Sequence, residues 1–299
     1  MTQAQVWTIG KLLEWTTDYL RKNGSESPRL DAEVLLAHAR NCPRIQLYTS
    51  FADEPQEAER TAFREMVRRR SEGTPVAYLV GHKEFYSLDF IVGPDCLIPR
   101  PETEHLVVAA IDWSKSRLKS SAAESSPLRI ADICTGSGCV AISVAKHIQG
   151  CEISAVDICP KALSIAASNI TKHGLDGRIS IWEGDLLDAI PNDGSNFDMI
   201  LSNPPYVSED EMKELAKDVC EHEPILALLS GPTGMEVSER LLQQAALRLR
   251  GGGVIILESS PMLVPKLEQH LQSQSHWSLK PTIKDLQGHA RIIIAERIQ

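Results

Sequence analysis

The sequence has no uninterrupted apolar run approaching the ~18 residues that a membrane-crossing helix needs. Its opening residues, Met1 to Ile9, hold no basic stretch leading into an apolar core, so no secretory leader is expected. There is no Cys-x-x-Cys pair, and the 7 cysteines (42, 96, 134, 139, 151, 159 and 220) are odd in number. Several sit inside apolar runs such as Ile130–Val144, where a reduced thiol serves as a small core residue; disulfide frameworks and zinc sites are disfavoured. The 9 histidines are scattered without a His-Glu-x-x-His arrangement, so no metal site is expected. Positive charge is also in deficit, with 31 Lys and Arg against 40 Asp and Glu. Nucleic-acid binding is dominated by phosphate neutralisation, so direct DNA binding is not expected of a chain with net charge -9. No internal repeat is present. What remains is ordinary globular composition over 299 residues, enough for two domains of about 150 residues each. The chain is expected to be cytoplasmic and monomeric, with no membrane association.

The first eighty-odd residues read as helices. Ile9, Leu12, Leu13, Thr16 and Leu20 recur at helical spacing before Gly24. Ser27 and Pro28 place a capping residue ahead of a first-turn proline, and Leu30, Val34, Leu35 and His38 continue that second helix. A third, from about Pro55 to Ser71, carries Ala58, Ala62, Met66 and Val67. From Glu84 to Pro94 the residues turn aromatic and β-branched, with a break at Ser87–Asp89, which predicts a short hairpin. Lys115–Pro127 is Ser-rich and reads as an exposed loop. After Leu128 short apolar runs (Leu128–Cys134, Ile153–Val156, Ile179–Trp182, Met199–Leu201, Val254–Leu257) alternate with helical candidates (Cys139–His147, Lys161–His173, Met235–Leu249, Leu263–Gln272). Trp277–Ile283 and Ala290–Ala295 close the chain as strands. That rhythm predicts an α/β fold with a doubly wound, mostly parallel sheet. The domain reading is a helical domain over residues 1–83, a hairpin linker over 84–98 and an α/β domain over 99–299.

Asp132-Ile133-Cys134-Thr135-Gly136-Ser137-Gly138 falls where the first of these strands meets its helix. Glycines permit a tight turn and close approach of a ligand, and the helix N-terminus presents free amides. Asp157 ends the next strand 19 residues after Gly138, near the spacing at which a carboxylate accepts hydrogen bonds from ribose hydroxyls. Gly136-x-Gly138-x-x-Ala141 also satisfies the loose dinucleotide fingerprint, so the motif points to a nucleoside-containing cofactor without choosing one. The structural alternative is a plain turn, with Asp157 capping the helix near Pro160.

Phe197-Asp198-Met199-Ile200-Leu201-Ser202 runs into Asn203-Pro204-Pro205-Tyr206. Ligands of open parallel sheets bind beyond the carboxyl ends of the strands, which puts Asn203 in the crevice of Gly136 and Asp157. Two prolines fix φ and donate nothing, so the Pro204 carbonyl can be held outward, beside the side-chain oxygen of Asn203. Two close acceptors match a planar NH₂ group, and Tyr206 offers a face to stack on it. This suits attack by a weakly nucleophilic nitrogen on a sulfonium methyl. Both N–H groups are held, the lone pair is aimed, and no acid is needed because the leaving thioether is neutral. A proline-rich surface turn is the competing reading; a dehydrogenase has no use for the tetrapeptide.

The chain resembles the protein release-factor glutamine N5-methyltransferases over nearly its full length. The matching segments are Arg29–Leu36, Gly73–Gly81, Glu84–Phe90, Leu97-Ile98-Pro99-Arg100-Pro101-Glu102-Thr103-Glu104, Thr135–Gly138, Asp157, Gly184-Asp185, Asn203–Tyr206, His222-Glu223-Pro224 and Asp285–Gly288. Asn-Pro-Pro-Tyr is shared with DNA adenine and ribosomal RNA methyltransferases; the Ile-Pro-Arg-Pro-Glu-Thr segment with the helical region is more specific. The resemblance implies a class I methyltransferase, Rossmann-like, using S-adenosylmethionine and no metal. It assigns Cys134, Thr135, Gly136, Ser137, Gly138, Asp157 and Asn203 to that cofactor, with Asp185 and Leu186 beside the adenine. The implied substrate is the glutamine of a Gly-Gly-Gln tripeptide in peptide-chain release factors, its amide bound by Asn203 and the Pro204 carbonyl with Pro205 and Tyr206 alongside. Two departures stand out: Cys134 replaces a usual glycine, and Glu258-Ser259-Ser260-Pro261 replaces a commoner Glu-Ile/His-Gly.

Arg100 and Glu102 are substrate-side candidates, although Arg100 can equally tie its loop down, and Glu102 and Glu104 suit a helix first turn. Arg68-Arg69-Arg70 reads as a solvated helix end rather than a binding patch. Two alternatives stand beside the leading reading: an N6-adenine methyltransferase acting on DNA or RNA, and a non-catalytic binding module. The acidic balance opposes the first, and the intact Asn203–Tyr206 set opposes the second.

Overall fold

The computed structural model describes residues 6–119, 127–192, 194, 196–214 and 222–298. Among these, two compact units are distinguished: the residues up to His82 together with His222, and the remainder.

The first unit is helical. Its helices are α1 (Ile9–Lys22), α2 (Pro28–Ala39), α3 (Arg44–Thr49), α4 (Glu57–Ser71) and α5 (Val76–Val80). Thr8 caps α1 by accepting from the Lys11 N–H, while Gln56 and Glu59 form a reciprocal capping box on α4. Ser27, the expected cap of α2, makes no side-chain capping bond; Pro28 does occupy the first turn, and nearby Ser25 donates to Asp31 at 2.7 Å instead. Leu13, Leu20, Leu35, Leu36, Phe63 and Val67 form the core. Each fully buried side chain of this size contributes about 1.5–3 kcal/mol. Helices α3 and α5 were not foreseen, being too short to show a helical period. The run Arg68–Arg70 does lie in the last turn of α4, where cations suit the helix dipole, and Arg68 pairs with Glu65 and Glu72.

A hairpin of β1 (His82–Phe85) and β2 (Leu88–Ile91) comes next, and the second unit begins within β1 at Lys83. The hairpin turn is Tyr86–Ser87, both at positive φ, one residue earlier than the break expected at Ser87–Asp89. The Glu104 carboxylate receives the Tyr86 N–H at 2.9 Å. Helix α6 (Glu104–Lys119) runs five residues into the stretch expected to be a loop; residues 120–126 lie outside the described residues.

Then follow β3 (Leu128–Ile133), α7 (Cys139–His147), β4 (Cys151–Asp157), α8 (Pro160–Lys172), β5 (Ile179–Glu183), β6 (Phe197–Ser202), β7 (Val207–Ser208), β8 (Leu229–Gly231), α9 (Glu236–Arg248), β9 (Leu249–Glu258), α10 (Val264–Gln272), β10 (Trp277–Leu279), β11 (Ile283–Lys284) and β12 (Ala290–Arg297). The expected strand Trp277–Ile283 is thus two pieces: Pro281 has no N–H to pair, and the ladder breaks around it.

Among the described residues the main sheet has the order β10-β12-β9-β6-β3-β4-β5, with β11 on β12. Strands β3, β4, β5, β6 and β9 are parallel, and β12 is antiparallel to β9. Alternate residues feed two cores. Ile130, Met199, Leu201, Val254 and Ile256 pack on one face with α6, α7 and α8, while Ala131, Ile133, Ile200, Ile255 and Leu257 pack on the other with α9 and α10. Burial on both faces explains why these strands read as unbroken apolar runs. The order reverses between β3 and β6, so the carboxyl ends of those two strands border the crevice where such sheets bind ligands. No helix among the described residues is long and apolar enough to cross a membrane.

Candidate active site

After β3 the backbone enters the left-handed region at Cys134 (φ 60) and again at Gly136 and Gly138. A side chain at φ 60 costs roughly 1–2 kcal/mol, a strain that a glycine here would not carry. The thiol of Cys134, pushed well up by burial, stays protonated against Ser202. Gly138 begins α7 at φ 79, and a Cβ there would press on Ala166 of α8 at 3.4 Å. The turn is stitched from behind by Asp132. Its Oδ2 accepts from the Thr135 hydroxyl at 2.6 Å and the Ala141 N–H at 3.1 Å, and the Thr135 N–H donates to the Val156 carbonyl at 2.9 Å. Asp132 is 1% exposed, and burial raises its pKa to about 7 against the pull of those two donors.

Asp157 ends β4 and joins the two loops. One carboxylate oxygen accepts the Gly136 N–H at 2.8 Å and the other the Cys159 N–H at 2.9 Å. It therefore does fasten the entry of α8, as the structural alternative held, and it also fixes the glycine turn. Burial pushes its pKa up. A carboxylate has about four lone-pair sites, so two acceptor positions remain on a group that lines the crevice.

Asn203 follows directly on β6 and is mounted from both sides. Before it, the Ser202 hydroxyl donates to the Ile133 carbonyl at 2.6 Å; after it, the Val207 N–H donates to the Leu228 carbonyl at 2.9 Å. Gly234 (φ 83) sits against this segment so closely that a Cβ would lie 2.6 Å from the Tyr206 carbonyl oxygen. The Asn203 NH₂ donates to the Thr103 hydroxyl at 3.2 Å. Among the described residues, none donates to the Asn203 side-chain oxygen or to the Pro204 carbonyl. Tyr206 is half-buried, and burial beside Glu258 pushes its hydroxyl up to about 12, so it is a neutral aromatic surface.

A cleft of about 220 Å³ brings together Cys134, Gly136, Asp157, Asp185, Leu186, Asn203 and Pro205. Thr135, Ser137, Gly138, Pro204, Tyr206, Arg100 and Glu102 are not on its wall. Thr135, Ser137, Gly138 and Pro204 are buried behind it. Asp185 pairs with Arg240 of α9, and both line the cleft. Arg100 binds Glu223 at 2.5 Å, and the Ile98 N–H reaches the same carboxylate at 3.4 Å. Arg100 thus ties its loop to the His222-Glu223-Pro224 segment.

Four residues beside these had been given no role. Glu223, 5% exposed, is the anchor of Arg100, and Arg240 is the partner of Asp185. Thr103 stands behind Asn203 and accepts from its NH₂, and Glu258 ends β9 beside β6, the strand that carries Asn203. A carboxylate ending an apolar strand run, as at Asp157, was the available signal for Glu258. The Ser259-Ser260 departure is absorbed without backbone strain, although both hydroxyls are buried with no hydrogen-bond partner among the described residues. Neither residue has positive φ, the Ser259 N–H donates to the Arg291 carbonyl at 2.9 Å, and the Ser260 carbonyl accepts from Leu263 and Val264 at the start of α10.

A doubly wound sheet of this order, with a glycine turn after its first strand, an acidic residue ending the second and Asn-Pro-Pro-Tyr after the fourth, defines a class I methyltransferase. Its fold is that of the hMettl16 catalytic domain solved with the MAT2A 3'UTR hairpin 6, at TM-score 0.55 and 16% identity, covering 78% of this chain and 82% of that one. The sequence matches the PrmC N-terminal domain family over residues 11–81 and the methyltransferase small domain family over residues 110–223. It is 50% identical to a release factor glutamine methyltransferase of Rhodopirellula baltica, with 97% of each chain covered. The protein of that name from Bacillus subtilis is 33% identical, with 96% of this chain and 97% of the relative covered. The chain belongs to the release factor glutamine methyltransferase family.

Proposed function

We propose that this protein transfers a methyl group from S-adenosylmethionine to the side-chain amide nitrogen of the glutamine in the Gly-Gly-Gln tripeptide of peptide-chain release factors. The single observation that carries the reading is the placement of Asn203. Its NH₂ is committed to Thr103, and its oxygen remains an acceptor on the wall of the cleft that Gly136 and Asp157 also line.

The residues present suit the cofactor. Gly136 has open space where a side chain would project, Asp157 keeps acceptor positions for ribose hydroxyls, and Leu186, Val237 and Leu226 give the cleft an apolar wall for a flat base. Cys134, Gly136, Asp157, Asp185 and Leu186 would hold it, with Thr135, Ser137 and Gly138 shaping the turn. When bound, S-adenosylmethionine supplies an electrophilic methyl on sulfur whose leaving group is a neutral thioether. The chain's task is to orient the nucleophile. Asn203 Oδ1 and the Pro204 carbonyl each accept one N–H of the glutamine amide, which fixes its plane and aims the nitrogen. Pro205 and Tyr206 pack beside it, and positioning of this kind is worth up to ~7–11 kcal/mol in favourable cases. The amide proton leaves to water once nitrogen has gained the methyl, so no side chain need act as a base. Arg100, held by Glu223, and Glu102 border the substrate side. The helical domain, residues 1–83, recognises the release factor.

The test offers labelled S-adenosylmethionine with a release factor, the same factor with the tripeptide glutamine replaced, and DNA or RNA. Label is expected in the intact factor only. Label confined to nucleic acid rejects the substrate, and label nowhere favours a binding module. In the same preparation, Asp157→Ala is expected to weaken cofactor binding by about ten- to a hundredfold, the loss of a hydrogen bond to a charged group. Titration calorimetry measures it, and an unchanged Kd leaves Asp157 as a loop fastener alone.

A further inference from the structure

We propose that the groove between α1 and α4 of the helical unit docks an amphipathic helix of a partner protein, one that carries leucine-sized side chains on one face and carboxylates beside them. The groove shares no residue with the methyl-transfer cleft, and the proposal does not depend on that reaction. Its volume is about 390 Å³, within the range of cavities that hold a ligand. The floor is Leu12 and Thr16 of α1 with Phe63 and Val67 of α4. Each pair is four residues apart, so each helix turns one face to the groove. On one wall Trp15 and Tyr19 stack at 5.1 Å with their planes 8° apart, and Trp7 meets Trp15 edge-on at 6.4 Å. Trp15 is nonetheless 52% exposed, an aromatic surface already ordered by its neighbours and still uncovered. The other wall is Arg60, Arg64 and Arg68, on successive turns of α4.

Three polar groups here lack a partner among the described residues. Thr16 is 1% exposed, and its hydroxyl makes no hydrogen bond. The Arg60 Nε is buried and unpartnered, although the end of the same guanidinium pairs with Glu57. Arg64 is exposed and forms no ion pair. Arg68, by contrast, is held by Glu65 and Glu72. Buried donors without acceptors are unfavourable, and a guest that brings acceptors relieves them. No carboxylate among the described residues lines the groove, so the guest supplies its own. Residues 1–82 carry 11 Lys and Arg against 11 Asp and Glu, so the net charge of -9 lies in the rest of the chain. Aromatic rings beside arginines also suit single-stranded nucleic acid. Glu57, Glu65 and Glu72 oppose that reading, because they neutralise Arg60 and Arg68 along the edge where a run of phosphates would pass. What is left is one uncompensated guanidinium beside exposed tryptophan and tyrosine. Trp, Tyr and Arg are the residues that dominate binding energy at protein interfaces. A groove between two helices suits a third, whose side chains at i, i+4 and i+7 reach the floor.

The experiment titrates the full chain by calorimetry, at low salt, with a synthetic helical peptide carrying leucine at i, i+4 and i+7 and glutamate on its other face. Saturable binding is expected, weakened about tenfold or more by Arg64→Glu and by Trp15→Ala. Thr16→Val is expected to lose about threefold in affinity while the free protein is no less stable in denaturant, a split that a purely structural threonine would not give. Arg69→Glu, on the same helix but off the groove, is expected to change affinity by less than about twofold. A lysine-for-glutamate peptide, and a glutamate peptide with alanine in place of leucine, are expected not to bind. Absence of saturable binding, or undiminished binding to Arg64→Glu, overturns the inference. Tighter binding of oligouridylate than of the peptide gives the groove to RNA and overturns it as well. So does a dimer in sedimentation that Trp15→Ala abolishes, which gives the face to a second copy of the chain. Should Trp15→Ala fail to fold, Arg64→Glu, at an exposed position, decides.

Discussion

Asn203→Ala is expected to lower turnover about 10²-fold or more while cofactor affinity changes little, the loss that follows removal of one preorganised polar contact. The size of the effect comes from rigidity. Asn203 is set by Ser202 on one side, Val207 on the other and Thr103 behind, so its oxygen needs no reorganisation when the substrate amide arrives. Alanine removes one of two acceptors and frees the amide to rotate about the remaining bond to Pro204. Asn203→Asp keeps the acceptor and loses the donor to Thr103, so it is expected to retain more activity than alanine. Rates under saturating cofactor, with calorimetric Kd beside them, separate the two effects. Near-normal turnover in Asn203→Ala contradicts the role.

Asp132→Ala is expected to produce the largest loss of stability. Among the described residues the carboxylate is the sole support of two buried donors, the Thr135 hydroxyl and the Ala141 N–H, at 2.6 and 3.1 Å. Each donor left unpaired costs about 1–3 kcal/mol, so a loss of about 2–6 kcal/mol is anticipated in chemical denaturation, with weaker cofactor binding as the glycine turn loosens. Asp132→Asn separates hydrogen bonding from charge. The folded pKa of Asp132, about 7, lies above its ordinary value of 3.8, so the folded state holds this proton more tightly than the unfolded chain. Its contribution is complete below pH 4 and is lost as pH rises through 7. Asparagine cannot ionise. Its stability relative to wild type is therefore expected to improve from pH 5 to about pH 7 and to level off above. A gap that does not change over that range contradicts a buried, proton-linked Asp132.

The sheet and both loops of the site were legible because each rests on a local rule: apolar runs buried on two faces, glycines where φ must be positive, an acid ending β4, and prolines that stop β6. Helices α3 and α5 escaped because five or six residues do not complete a period. The Ser27 cap failed because a suitable residue type does not guarantee the side-chain bond, and the Ser25–Asp31 contact serves the turn instead. The supports of the site were the least legible part. Thr103 lies 100 residues before Asn203 and Glu258 lies 55 after it, and no spacing rule links them. Asn203 and Glu258 are neighbours because β6 and β9 are adjacent in space, which only the sheet order reveals. Arg100 and Glu223 are likewise 123 residues apart, and only their pairing settles that Arg100 ties its own loop.

The most direct measurement is a crystal structure of the chain with S-adenosylhomocysteine and a release-factor fragment carrying Gly-Gly-Gln. The account predicts the glutamine amide nitrogen at hydrogen-bond distance, about 2.7–3.2 Å, from both Asn203 Oδ1 and the Pro204 carbonyl oxygen, facing the cofactor sulfur. A glutamine bound elsewhere, or an Asn203 presenting its NH₂ to the substrate, would contradict it.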